Sequence, residues 1–166
     1  MNDSDGNDFP VIQQMQAVAD ALIPVVRAFR AEIGQERADA IAAQGLAEWR
    51  RALARRAGGQ VVGEPRERWE KMAGDVLEKT AGSIVVEDLQ QTPDALRFTV
   101  TGCRFADLFR QLGEPELGYA LLCAYDHTLV EEIAPGDVEL TRTDTIMRGA
   151  PRCDFRYRFK GDGGER

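Results

Sequence analysis

The sequence predicts an α+β fold: N-terminal helices packed with a ββααββ unit that forms a four-stranded antiparallel sheet. Three observations carry this. Apolar residues recur at helical spacing through the first half of the chain. From about residue 82 the pattern changes to short β-branched and aromatic runs with period two. The links between paired runs are short, which suits antiparallel neighbours, whereas parallel ones need a crossover.

The elements follow in order. The start, "MNDSDGNDFP", is acidic and polar, unlike a signal or transit peptide, and residues 1–8 are expected to be a disordered lead-in. From about Phe9 to Ile33, the residues Ile12, Met15, Val18, Ala19, Leu22, Val25, Val26 and Phe29 make one helical stripe, which Pro24 should kink or split. Gly34 is a natural stop. A second helix is expected over 36–56, with Ile41, Leu46, Trp49 and Leu53 as its apolar positions. Its arginines Arg50, Arg51, Arg55 and Arg56 read as one solvated face. After the glycine-rich break "AGGQVVGEP", a third helix over 66–81 carries Trp69, Met72, Val76 and Leu77.

Residues 84–90 and 95–102 read as a hairpin around "QTPD". "RFADLFRQLG" returns to helix and stops at Gly113. "EPELGYALLCAYDHTLVEEI" reads as one longer helix, with Pro115 in its first turn where a missing N–H costs little. Strands over 138–148 and 153–160 complete the unit. The domain is thus expected to span 9–160, helical over 9–81 and ββααββ over 82–160, with a flexible tail over 161–166.

Composition narrows the function. The chain has 166 residues, 43% of them hydrophobic, enough for one core. Its 28 acidic and 21 basic residues give −7, a field that opposes a nucleic-acid backbone. No run approaches a membrane span. Three cysteines without secretory context argue for reduced thiols in the cytoplasm, not a disulfide framework. The expected partner is a small molecule; self-association stays open.

The stretch "LLCAYDHTLVEE" puts Cys123, Asp126 and the sole histidine, His127, within five positions. On a helical wheel advancing about 100° per residue, Asp126 falls within the apolar arc of Leu122, Leu129, Ile133 and Tyr119. Cys123 borders that arc and His127 leans outward. A buried carboxylate needs a partner or a proton. Asp126 is therefore either a structural ion-pair partner or an acid/base, and Cys123 either a small buried hydrophobe or a nucleophile. In "CDFRYRF", Cys153, Phe155, Tyr157 and Phe159 share a face. If Leu140 and Ile146 mark the core face of the preceding strand, Arg142 points inward as a counterion for Asp126 or for a substrate carboxylate. There is no CxxC and no HxxxH, so no metal is expected, although Cys123 and His127 have i,i+4 spacing. Nucleotide-cofactor loops and serine elbows are absent too, and no cofactor is expected.

Residues 101–159 resemble the L-2-amino-thiazoline-4-carboxylic acid hydrolase family. The resemblance rests on a leading cysteine, a "GxPExGxxxxCxxD" helix and a "RTxTxxxGxxxCDFR" strand pair. These are matched here by Cys103, Gly113, Pro115, Glu116, Gly118, Cys123, Asp126, Arg142, Thr143, Thr145, Gly149, Cys153, Asp154 and Phe155. "EIGQERADAIAAQGLAEW" is also similar to the family's N-terminal region. The chain departs at Arg104, where proline usually follows the first cysteine, and His127 is outside the pattern. The resemblance implies a small hydrolase opening a C–N or C=N bond of an amino-acid-like heterocycle. In that reading Cys123 and Asp126 are catalytic, and Arg142, Cys103, Cys153 and Thr143 contact substrate, with Cys103 or Cys153 as the alternative nucleophile. A distant similarity to 4-vinyl-reductase-type domains keeps a non-enzymatic binding or sensor module as the rival. A thiolate metal site is the third reading.

Overall fold

The computed structural model describes residues 10–160; the expected lead-in over 1–8 and tail over 161–166 lie outside the described residues. Helices α1 (Val11–Ile33), α2 (Gln35–Gly58) and α3 (Pro65–Thr80) precede a hairpin of β1 (Ile84–Thr92) and β2 (Ala95–Cys103). Then come α4 (Arg104–Gln111), α5 (Pro115–Gly118), a π-helical turn Tyr119–Cys123, and α6 (Tyr125–Ile133). Strands β3 (Val138–Thr141) and β4 (Cys153–Phe159) flank a 3-10 turn, Ile146–Arg148.

The sheet has four strands in the order β1-β2-β4-β3, every neighbouring pair antiparallel. Its alternation is of the kind expected when one face meets a core and the other meets water. Phe98, Val100, Val138, Cys153, Tyr157 and Phe159 are buried, while Arg97, Arg156 and Arg158 are exposed. The buried face joins Ala19, Ile23 and Val26 of α1, Ala54 of α2, Trp69 and Met72 of α3, and Leu129 and Ile133 of α6 in a single core. Trp69 packs on Tyr157 and Phe159, with ring centroids 4.6 and 5.5 Å apart. Gly118 lets α5 approach α4: a Cβ there would stand 2.5 Å from the Phe109 ring.

Four expectations need correction. Pro24 does not split α1: the helix continues through it, with Pro24 on the exposed side, where water can satisfy the carbonyl the missing N–H would have bonded. Ile41 and Trp49 of α2 are exposed rather than core. Arg50 is not on the solvated face: it is only 8% exposed and donates to the backbone oxygen of Ala120. The strand expected over 138–148 ends at Thr141, so Arg142 lies just beyond it. The loss of pairing has a cause, since the backbone N–H groups of Thr143 and Asp144 turn to the carboxylate of Asp154 instead.

Candidate active site

A cavity of about 410 Å³ opens between the three N-terminal helices, the sheet and the segment 121–129. Cys103, Cys123, Asp126, Arg142 and Cys153 all line it. Different elements deliver them: β2 ends in Cys103, the π turn ends in Cys123, and Asp126 lies in the first turn of α6. Cys153 opens β4, and Arg142 follows β3 in the register that keeps Val138 and Leu140 inward.

The π turn gives this wall its geometry. The N–H of Ala124 bonds the carbonyl of Tyr119 at 3.0 Å, five residues back. The extra residue sets the later residues back by about 100° relative to an unbroken α-helix. Residues before the turn are therefore rotated away from those after it. Tyr119, expected beside Asp126 in the apolar arc, instead lies against Arg148, whose guanidinium carbon is 3.4 Å from the ring centroid. Tyr119 lines a separate polar pocket of about 230 Å³ with Arg148, Thr143, Asp144 and Thr145.

At the polar end of the main cavity, one guanidinium organises three groups. Arg142, with its side chain 2% exposed, donates from Nη1 to Asp126 Oδ2 at 2.5 Å and from Nη2 to the Cys123 carbonyl at 2.7 Å. It also lies over the Phe155 ring at 4.9 Å. Asp126 keeps 27% side-chain exposure and is a wall residue of the cavity. Burial pushes its carboxyl above the ordinary range, and the attraction of Arg142 only partly opposes this. For Arg142, burial works against the charge, but Asp126 and Cys123 outweigh it and its pKa rises.

The thiols are held in the protonated form. Burial drives Cys123 up to about 12 despite the pull of Arg142. Cys103 and Cys153 are raised by burial as well. The Ile146 N–H donates to Cys153 Sγ at 3.2 Å, so this sulfur is tied to the 3-10 turn. A resting thiolate at Cys123 would need a lowered pKa, and burial moves it the other way.

Two expected positions differ. Thr143 does not line the main cavity; its side chain is turned to Asp154, with its hydroxyl donating to Oδ2 at 2.8 Å. His127 does not stand free in solvent but is half-buried, with its pKa lowered by burial first and by Arg142 second. Sequence reasoning assigned no role to Asp154. Its parity placed it outward with Arg156 and Arg158, yet it is 8% exposed and accepts from Thr143 N at 3.0 Å and Asp144 N at 2.7 Å. The signal lay in an acid beside a Thr-rich turn that could cross over it. Among the described residues, no three His, Cys, Asp or Glu side chains come together in a way that could hold a metal ion. Among the same residues, no helix is long and apolar enough to cross a membrane.

No curated protein matches the chain in sequence. The model of one protein family does match, over residues 14–157, a span that takes in every cavity residue from Met15 to Tyr157. By that match the chain belongs to the family described as L-2-amino-thiazoline-4-carboxylic acid hydrolase.

Proposed function

We propose that this chain hydrolyses a C–N bond in a small cyclic amidine-type substrate bound in the main cavity, with Asp126 as the acid/base. The observation that carries the reading is the Asp126–Arg142 pair: a carboxyl raised by burial, reaching the cavity, and fixed at one oxygen by a guanidinium. A carboxyl raised toward working pH can both take and return a proton. Because Cys123 sits near 12, water rather than a resting thiolate is the nucleophile. Water attacks the amidine carbon as its proton passes to the free oxygen of Asp126. Asp126 passes that proton to the amidine nitrogen, then takes the proton of the new hydroxyl as it collapses to a carbonyl and gives it to the departing nitrogen as the C–N bond breaks, restoring the carboxylate. Arg142 holds Asp126 in position and adds positive charge beside the reacting carbon. Its guanidinium is already committed to Asp126 and Cys123 O, so it is assigned to positioning before substrate-carboxylate binding. Cys123, Cys103 and Cys153 serve as cavity wall.

The test is turnover of 2-aminothiazoline-4-carboxylate, followed as mass gain of one water, by the unaltered chain, Asp126→Asn and Cys123→Ser. The expected result is a loss of roughly a hundredfold or more for Asp126→Asn, the size of a lost acid–base group, in a chain that still folds although the stranded Arg142 charge lowers its stability. Cys123→Ser should stay within about tenfold. A hundredfold loss in Cys123→Ser would transfer the nucleophile to sulfur. An Asp126→Asn chain that is folded and fully active would remove Asp126 from the chemistry.

One observation favours a second reading, a binding or sensor domain without turnover. The thiols are protonated, and an ionised Asp126 would be neutralised by Arg142, so the cavity offers no strong resting nucleophile. Tight binding without any product would decide for it.

A further inference from the structure

From the shape and chemistry of the main cavity we infer that its ligand is amphipathic: a small polar head on a sizeable alkyl or aryl body. The inference rests on the hydrolase reading for the identity of the head alone. A bare aminothiazoline carboxylate is one five-membered ring with two small substituents. The cavity, at about 410 Å³, is of the size that encloses drug-sized ligands. Its polarity is just as uneven. The charged side chains reaching it are Asp126 and Arg142, already joined to one another, and Lys79. The wall from α1, α2 and α3 is built instead of groups such as Met15, Leu53, Ala73, Val76 and Leu77.

A small charged zwitterion gains little from that wall. It would meet hydrocarbon over most of its surface and would find Arg142 committed. Water in the same space would also lack hydrogen-bond partners. Hydrocarbon gains there, at the usual rate for burying apolar surface. A head seated at Asp126 and Arg142 with its body along α2 and α3 satisfies both ends of the cavity.

The protein supplies its own readout, because both tryptophans of the chain, Trp49 and Trp69, line the cavity. The experiment titrates the full chain with 2-alkylaminothiazoline-4-carboxylates, the alkyl group growing from none to octyl, and follows tryptophan fluorescence. Turnover is read separately by mass. The expected result is a Kd that falls about fourfold per methylene, the transfer value for a buried CH₂, until the cavity is filled. Ala73→Phe should shift the best chain length to a shorter homologue. If that variant does not fold, Val76→Phe on the same wall makes the same test. A Kd that stays flat along the series, or a bare ring that binds as tightly as the octyl compound, overturns the inference whatever the turnover. A series that binds as expected but is never cut upholds the amphipathic ligand and defeats the hydrolase reading instead.

Discussion

Asp126 and Asp154 face the same short stretch after β3 from two sides, and their carboxyls shift in opposite directions. Both are under the pressure of burial, which raises a carboxyl. Asp154 overcomes it. Hydrogen bonds from Asp144 N–H, from the Thr143 hydroxyl and from Thr143 N–H pull it below its ordinary range. Arg156 adds a contact at 3.2 Å. Asp126 has Arg142 at one oxygen, and burial still prevails. The difference is one of donor supply. A carboxylate wrapped in backbone N–H groups is a structural brace, whereas one raised by burial with a single cation at one oxygen is, on the proposed reading, the group poised to exchange a proton.

The largest effect should come from removing the group that the poised side depends on. Arg142→Met takes away the one ion-pair partner of Asp126 among the described residues and the donor to Cys123 O. Breaking a buried pair in this way costs about 3–5 kcal/mol. The cost should be smaller at pH 5 than at pH 8, because Asp126 can escape by taking a proton. Chemical denaturation at the two pH values checks both statements. A loss below about 1 kcal/mol would mean the pair is marginal to the fold.

The next effect sharpens the contrast through pH. For Asp154 the folded pKa lies below the unfolded value near 3.8. Its stabilisation is therefore complete above that value and is lost as pH falls through the folded pKa. For Asp126 the folded pKa lies above 3.8. In the window between the two values the native state holds a proton the unfolded chain has released, so stability falls as pH rises. Asp154→Asn should cost about 2 kcal/mol at neutral pH, from charge-assisted hydrogen bonds lost. It should also remove the acid-side slope. Asp126→Asn should remove the opposite slope. Stability curves of the two variants that bend the same way would end the distinction between brace and poised acid.

These two residues also show how far the sequence could be read. The four strands and their antiparallel pairing follow from period-two patterning, because burial on one sheet face leaves a plain alternation, whereas the inward position of Arg142 was one of two registers the sequence allowed. The position of Asp126 on the cavity side of its helix was legible for the same kind of reason. The rest depended on events that no periodicity encodes. Tyr119 packs against the core at its edge, but the π turn sets its ring against Arg148 and not beside Asp126. Arg50, placed by its neighbours on a basic surface, was drawn inward to the carbonyl of Ala120 within that turn. Asp154 has the parity of an exposed strand residue and becomes buried only because the chain after Thr141 folds across it.

The smallest effect belongs to His127, and it tests whether the poised region ends at Asp126. The residue is half-buried beside the pair, and burial first, then Arg142, hold its pKa below 6.5, while Asp126 and Glu131 pull the other way. The sign follows directly. As pH drops below 6.5 the unfolded chain binds the proton before the folded one does, so the native state loses stability in that window. His127→Ala should leave stability near pH 8 within about 1 kcal/mol of the parent, as for other substitutions outside a core. Between roughly pH 6.5 and 5 the parent should weaken faster than the variant. Turnover should change by less than about tenfold, under the low end for a lost acid–base group. The measurements are melts across that pH range and a rate on the same preparations. A larger loss of rate with an unchanged melt would make His127 the proton carrier, and Asp126 would then be the group that orients it through the field of Arg142.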